Sequence, residues 1–253
     1  MRDKKFDDAA NSAEPEQAQS SHEENSTMLP DCPLLLQPDD LLPGDTLLYR
    51  PRAPTLIQKA ISSATDSPYT HVAIFLGNGV VAESMFPGGV RKGDLRELLE
   101  DSLCIAVLRT QLGFTEDRPD RLLEFVEAVL GNKKFYNALA AARVPSRNRD
   151  YFDNQIEFVR KNYGKVTSTE EFAKQSFFCS AFVVACYSVV GIIGETAQAA
   201  YQPNSFAPGH LLDDPSFGWL LGYLIPEGGS LPPDDPLLAI ATLWCDNQEA
   251  RWW

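Results

Sequence analysis

The sequence lacks any hydrophobic run long enough to cross a membrane, and it is short of positive charge. No stretch of its 253 residues approaches the roughly 20 uninterrupted apolar residues of a transmembrane helix. With 35 Asp and Glu against 22 Lys and Arg, the formal net charge is -13, which repels nucleic acid and anionic membrane surfaces at long range. We therefore expect neither a transmembrane segment nor a nucleic-acid partner.

The first thirty residues also lack the basic and then apolar pattern of a secretory signal. The default expectation is therefore the cytoplasm, with leaderless secretion as an effector left open. The five cysteines form no C-x-x-C or similar metal-ligand spacing, and an odd number without a signal indicates reduced thiols. We expect no metal and no cofactor, so a conspicuous cysteine is a reactive thiol or a core thiol.

Composition divides the chain into an acidic tail, a domain and a second tail. Residues 7–27 contain no Val, Ile, Leu, Phe, Trp, Tyr, Met or Cys, so they cannot bury enough apolar area to offset their ordering entropy. We predict a disordered tail over residues 1–35 and a domain over 41–225, with a helical insertion at about 138–174. Residues 232–253 are predicted to form a Trp-rich helix, linked through two prolines, that packs on the domain or binds a protein partner.

Within the domain, hydrophobic periodicity and capping residues predict the remaining elements. A strand over Thr46–Arg50 precedes a helix that ends near Ala64. Asp94 is expected to cap a helix through Leu99, and the capping-box pattern Ser168-x-x-Glu171 predicts the start of another. Further elements are a strand over 103–109 and helices over 119–130 and 150–163.

Two apolar runs around Asn78-Gly79 predict a β-hairpin. A two-residue loop would point His71 and Glu83 to opposite faces of the sheet. A three-residue loop with Gly79 in the left-handed region instead sets Ala73 opposite Glu83, and His71 and Glu83 then share a face as diagonal neighbours. Since a buried imidazole and a buried carboxylate each need a partner, the second arrangement explains both. The alternative for His71 alone is a core histidine bonded to a backbone carbonyl.

Residues 177–190 form an apolar segment that suits a buried helix. If Ser176 caps this helix, Cys179 lies in its first turn, where free backbone N–H groups and the helix dipole favour thiolate. The alternative is a small buried hydrophobe, which is how we interpret Cys186. A cysteine, a histidine and a polar orienting group from separate elements are the set that nucleophilic acyl transfer requires.

Four sequence blocks resemble the circularly permuted papain-like amidases of the YaeF/YiiX type, relatives of the NlpC-type cell-wall peptidases and of lecithin retinol acyltransferase. They read, in order, PGDTLLYR, SPYTHVAIFLGNGVVAES, FFCSAFVVACY and FAPGHLLDDPSFGWLLG, and they span about residues 41–225. In the permuted group the histidine strand precedes the cysteine helix, as it does here. The resemblance implies an α+β fold, with a central antiparallel sheet packed by helices that include the nucleophile helix.

The resemblance also implies a catalytic set in which Cys179 is the nucleophile, His71 the base and Glu83 the orienting acid. The family often carries a Tyr-Asp pair before the cysteine; here Tyr136 is followed by Asn137, and Tyr136 is expected to contact substrate or the oxyanion. The expected activity is amide hydrolysis of a peptide, a peptidoglycan stem peptide or an N-acyl substrate. The alternatives are a lipid or thioester acyl hydrolase or acyltransferase using the same residues, and a non-catalytic lipid- or peptide-binding module or effector.

Overall fold

A computed structural model describes residues 35–238 of the chain, apart from the side chains of 145–150 and 152. Nearly all of the predicted acidic tail and the Trp-rich end beyond Leu238 lie outside the described residues. No helix within residues 35–238 combines the length and the apolar character that a membrane crossing requires.

The domain is built on an open six-stranded antiparallel sheet with the strand order β4-β3-β2-β1-β5-β6. Helices pack against this sheet, so the expectation of an α+β fold is confirmed at the level of fold class. The strands are β1 (Thr46–Pro51), β2 (His71–Gly77), β3 (Val80–Met85), β4 (Gly89–Asp94), β5 (Ser102–Arg109) and β6 (Trp219–Leu224).

Seven α-helices complete the described part of the chain. Helix α7 is buried along its whole length and packs on the face of the sheet that carries Leu48, Val72 and Ile74. The helices are α1 (Leu56–Thr65), α2 (Leu95–Glu100), α3 (Arg118–Gly131), α4 (Ala138–Asp153), α5 (Gln155–Asn162), α6 (Thr169–Ala173) and α7 (Cys179–Val189). Residues 138–174, the predicted insertion, hold three of them.

Two predicted helix starts are confirmed by their caps. The Asp94 carboxylate accepts a hydrogen bond from the backbone N–H of Arg96 at 2.8 Å. Ser168 and Glu171 form the reciprocal capping box, in which each side chain accepts from the other residue's backbone N–H. These local signals were readable because each involves residues only two or three positions apart.

The β2–β3 hairpin has the predicted register but a different turn. Ala73 lies opposite Glu83, as predicted, and Gly79 has a positive φ of 73°. The turn itself has two residues, Asn78 and Gly79, both in the left-handed region, and the ladder shifts by one residue between Phe75 and Gly77. The extra residue that the sequence placed in the loop therefore lies in a bulge in β2. The turn itself can then be a two-residue turn with both φ values positive, which matches the twist of the strands.

The start of α7 also differs from the prediction. The N-cap is Phe178, which makes no side-chain cap hydrogen bond, so Cys179 is the first helical residue and Ser176 is not the cap. The preceding chain is held out of the helix by neighbours: the Ser84 hydroxyl and the Asn137 backbone N–H both donate to the Phe177 carbonyl. Tertiary hydrogen bonds override the local capping preference of Ser176.

A buried carboxylate ties the end of the described chain to the sheet. Asp235 accepts hydrogen bonds from the hydroxyls of Tyr69 at 2.8 Å and Tyr223 at 3.0 Å, from the guanidinium of Arg50 at 3.3 Å and from the backbone N–H of Leu237 at 3.1 Å. We call these residues the Asp235 cluster. It links the segment after the two prolines to β1, to β6 and to Tyr69, which lies two residues before β2.

Candidate active site

His71 and Glu83 form the centre of the candidate site. His71 begins β2, and its Nε2 lies 2.6 Å from Oε2 of Glu83 on β3. The Glu83 side chain is fully buried and the His71 side chain is 13% exposed. Since the carboxylate occupies Nε2, Nδ1 is the ring nitrogen left for a second partner. The hairpin register thus produces the diagonal pairing that the sequence predicted.

Arg91 on β4 provides the second contact of the Glu83 carboxylate, which the sequence analysis did not identify. Its Nε and terminal nitrogen lie 2.9 and 2.8 Å from Oε1 of Glu83. Arg91 faces Glu83 directly across the β3–β4 ladder. Because β4 is a short edge strand in which Val90 is the only large apolar residue, no apolar alternation marked it as a strand, and its arginine could not be placed.

The electrostatics favour a charged imidazole and a charged carboxylate. Burial by itself lowers the pKa of His71, but hydrogen bonds and charge interactions with Cys179 and Glu83 outweigh burial and raise that pKa to about 10. Burial raises the pKa of Glu83, and His71 together with Arg91 overcomes this effect, so the pKa is lowered overall. His71 therefore carries a proton at neutral pH, and Glu83 carries none.

Cys179 and His71 line the same cleft. The thiol is buried and interacts electrostatically with the His71 ring. Its position as the first residue of α7 leaves the backbone N–H groups of the first helical turn without intrahelical partners. The loop that delivers it is fixed by Ser84 at Phe177 and by Asn137 at Ser176.

Asn137 holds the loop that precedes Cys179 to the start of α4 through three hydrogen bonds. Its side-chain NH₂ donates to the Ser176 carbonyl at 3.2 Å, and its backbone N–H donates to Phe177 at 3.0 Å. Its side-chain oxygen accepts from the backbone N–H of Ala140 at 2.9 Å, at the start of α4. An ionised Asp could accept that last bond but could not donate the first.

Tyr136 lines the same cleft as Cys179 and His71. Its ring packs edge-on against Phe86, and its backbone N–H donates to Pro87. Burial raises the pKa of Tyr136 strongly, and the electrostatic interaction with Cys179 raises it further, so the hydroxyl remains a hydrogen-bond donor at neutral pH. The structure thus brings Cys179, His71, Glu83 and Tyr136 to one place.

Two further hydroxyls border this cleft without an evident role in the fold. Tyr49 faces His71 across the β1–β2 ladder, with ring centroids 5.5 Å apart, and Thr70 precedes His71 in the chain. Both hydroxyl oxygens are buried and have no hydrogen-bond partner among the described residues. Burial, and then the charge of Glu83, raises the pKa of Tyr49 well above its usual value. No sequence signal distinguished either residue.

The other cysteines and histidines of the described chain do not share this setting. Burial raises the pKa of Cys186 well above the usual thiol value and that of Cys104 to about 12, which marks both as core thiols. His210 accepts the backbone N–H of Ala207 at its Nδ1, and burial lowers its pKa. Within residues 35–238, no group of three or more His, Cys, Asp and Glu side chains could hold a metal ion.

The cleft has a volume of about 330 Å³. Its walls come from β1, α1, the β3–β4 turn and the end of α2, and Cys179 and His71 lie in it. The lining is Tyr49, Pro51, Thr55, Ile57, Gln58, Ile61, Thr70, His71, Ser84, Met85, Phe86, Leu98, Asp101, Ser102, Tyr136 and Cys179. A cleft of this size suits a small substrate or one end of a longer one.

Comparison with known proteins adds a distant structural likeness to these observations. No protein-family model matches the chain, and a search of curated proteins finds no match. Among solved structures, the chain is similar to YiiX, a metalloprotein of Escherichia coli O157:H7 assigned to DUF1105, at 19% sequence identity and a TM-score of 0.35. The match covers 57% of this chain and 63% of YiiX. YiiX is of the type that the sequence blocks resemble, but so distant a likeness bears on neither the chemistry nor the ligands of this chain.

Proposed function

We propose that this chain is a cysteine-dependent hydrolase that cleaves an amide bond in a peptide, a peptidoglycan stem peptide or an N-acyl amide. The observation that carries the proposal is that one cleft holds the buried thiol of Cys179 together with an imidazole, His71, that is hydrogen-bonded to the buried carboxylate of Glu83. We also propose the circularly permuted papain-like arrangement, which the chain order supports because the base and the acid precede the nucleophile helix.

In the proposed reaction, the proton of the Cys179 thiol resides on His71, the sulfur attacks the substrate carbonyl carbon, and the C=O electron pair moves to oxygen. Free backbone N–H groups of the first turn of α7 and the Tyr136 hydroxyl are the donors for that oxyanion. His71 gives its proton to the leaving amine, the C–N bond breaks and a thioester remains on Cys179. Water then attacks the thioester while His71 accepts a proton from it, and the acid and the thiol are released.

Glu83 keeps the imidazole in the orientation that this proton transfer needs. The same thioester would form from an ester or from another thioester, so a lipid or thioester acyl hydrolase or acyltransferase is the second candidate. The observation that favours it is the apolar wall of the cleft, formed by residues such as Ile57, Ile61 and Phe86. The two candidate functions differ in the leaving group and the acyl acceptor, but both would use Cys179, His71 and Glu83.

The test is mass spectrometry of the intact full chain after incubation with candidate N-acyl amides, muropeptides and phospholipids. We expect an acyl adduct that maps to Cys179 and is missing from Cys179→Ala. Cys186→Ala is the matched control, since Cys186 lies on the same helix as a core thiol, and it should retain the adduct. If no substrate class leaves an adduct and iodoacetamide alkylates Cys179 no faster than Cys186, the chain is a binding module and the hydrolase proposal is wrong.

A further inference from the structure

The charge of the cleft lining restricts the acyl group that can enter. No Lys or Arg is among the described residues that line it, and Asp101 is its one carboxylate. His71 is the lining group that carries positive charge, and its Nε2 is already bound to Glu83. A carboxylate on the substrate would therefore lose water without gaining a cationic partner, which is costly.

The mouth of the cleft is apolar as well. Ile57 on α1 and Phe86 in the β3–β4 turn both line it, and they are 55% and 56% exposed. Helix α1 buries none of its residues fully, although it forms one wall of the cleft. Large apolar side chains that are exposed beside a cleft gain free energy when an apolar ligand covers them. The mouth thus favours an apolar ligand, and the lining of the cleft disfavours a charged one.

We infer that the cleft accepts an uncharged, apolar acyl group and discriminates against acyl groups that carry a carboxylate. This inference rests on the proposed function, because it describes the acyl group transferred to Cys179. It favours N-acyl amides and acyl esters over peptidoglycan stem peptides, whose side chains and termini carry carboxylates. The net charge of -13 acts in the same direction at longer range.

The experiment compares two esters of equal chain length, p-nitrophenyl hexanoate and the mono-p-nitrophenyl ester of adipic acid. Acylation of Cys179 forms the thioester and releases p-nitrophenolate, which is followed by absorbance, while intact mass confirms the adduct. Each rate constant is divided by that of N-acetylcysteine with the same ester, which removes the intrinsic reactivity of the ester. We expect the normalised rate for hexanoate to exceed that for adipate at least about tenfold.

A charge introduced at the mouth should change this ratio. Ile57→Lys places an ammonium beside the cleft, and one unit charge at about 7 Å in water should lower the preference for hexanoate about threefold. Ile156→Lys is the matched control, because Ile156 is also an exposed isoleucine on a helix, at 85% exposure, and does not line the cleft. It should leave the ratio unchanged.

The outcomes separate the two levels of inference. Equal normalised rates, or a faster reaction with adipate, would overturn the inferred acyl preference while the acylated Cys179 still supports the proposed function. An equal effect of Ile57→Lys and Ile156→Lys would also overturn it, since the selectivity would then come from overall charge and not from the cleft. If neither ester acylates Cys179, the proposed function itself is overturned, and the acyl preference with it.

Discussion

Replacing Glu83 by Gln should lower the pKa of His71 by at least about one unit. The substitution keeps the size of the side chain and a hydrogen-bond acceptor, but it removes a charge 2.6 Å from Nε2. Coulomb attraction at that separation is about 1.6 kcal/mol at the dielectric constant of water and about 6 kcal/mol at an effective value of 20. At about 1.4 kcal/mol per pH unit, the lower figure alone accounts for roughly one unit.

The assay is an NMR titration of the histidine ring signals in the full chain. His210 is an internal control, because its pKa is lowered by burial and it interacts with Asp213, not with Glu83. Arg91→Gln is a second control with the opposite sign: it removes a cation from Glu83, so the pKa of His71 should rise or stay unchanged. A His71 pKa that is the same in Glu83→Gln and in the wild type would refute the electrostatic account of the site.

The same change should alter how stability depends on pH. The pKa of His71 is about 10 in the folded chain against an ordinary value of 6.5, because Cys179 and Glu83 stabilise the protonated ring. That contribution to the free energy of unfolding is fully present below about pH 6.5 and is lost as the pH rises towards 10. Urea unfolding should therefore show stability falling across this range in the wild type. In Glu83→Gln, this fall should be smaller and should end at a lower pH.

Two further predictions concern buried polar groups. Asp235→Ala should lower the free energy of unfolding by about 3–5 kcal/mol, because it leaves the other members of the Asp235 cluster without their shared partner. Asp234→Ala removes only an exposed ion pair to the same cluster, so it should change the free energy of unfolding little. Similar urea midpoints for the two variants would contradict this prediction. Tyr49→Phe and Thr70→Val each remove a buried hydroxyl without a partner among the described residues, so calorimetry should find the melting temperature unchanged or raised. A drop of several degrees would mean that the hydroxyl has a partner in the folded chain.

The sequence predicted the candidate site better than it predicted the sheet around it. His71 and Glu83 could be paired because the register of a hairpin follows from short-range turn chemistry and the alternation of side chains. The two edge strands were missed for different reasons. β4 has an exposed, charged and glycine-containing sequence, which lacks the apolar alternation of a strand. β6 pairs with β5 across more than 100 residues, so no local sequence pattern predicts that pairing.

The start of helix α7 could not be predicted from local capping preferences alone. Ser176 is a good N-cap residue, yet the helix begins at Cys179, because Ser84 and Asn137 bind the carbonyls of residues 176 and 177. Those partners come from distant parts of the chain, and no capping rule includes them. Arg91 and Tyr49 were missed in the same way, since the contact of Arg91 with Glu83 and that of Tyr49 with His71 depend on which strands become neighbours.

The order of the site residues along the chain determines how a single backbone cleavage would divide them. His71 and Glu83 both precede the exposed loop between β5 and α3, and Cys179 follows that loop. A break near Thr115 and Glu116 would therefore leave His71 and Glu83 on one fragment and Cys179 on the other. The two fragments would still share the β5–β6 ladder and the packing of α7 on the sheet. Neither fragment would then hold the thiol and the imidazole together, and reassembly of the sheet would bring the two groups back into one cleft.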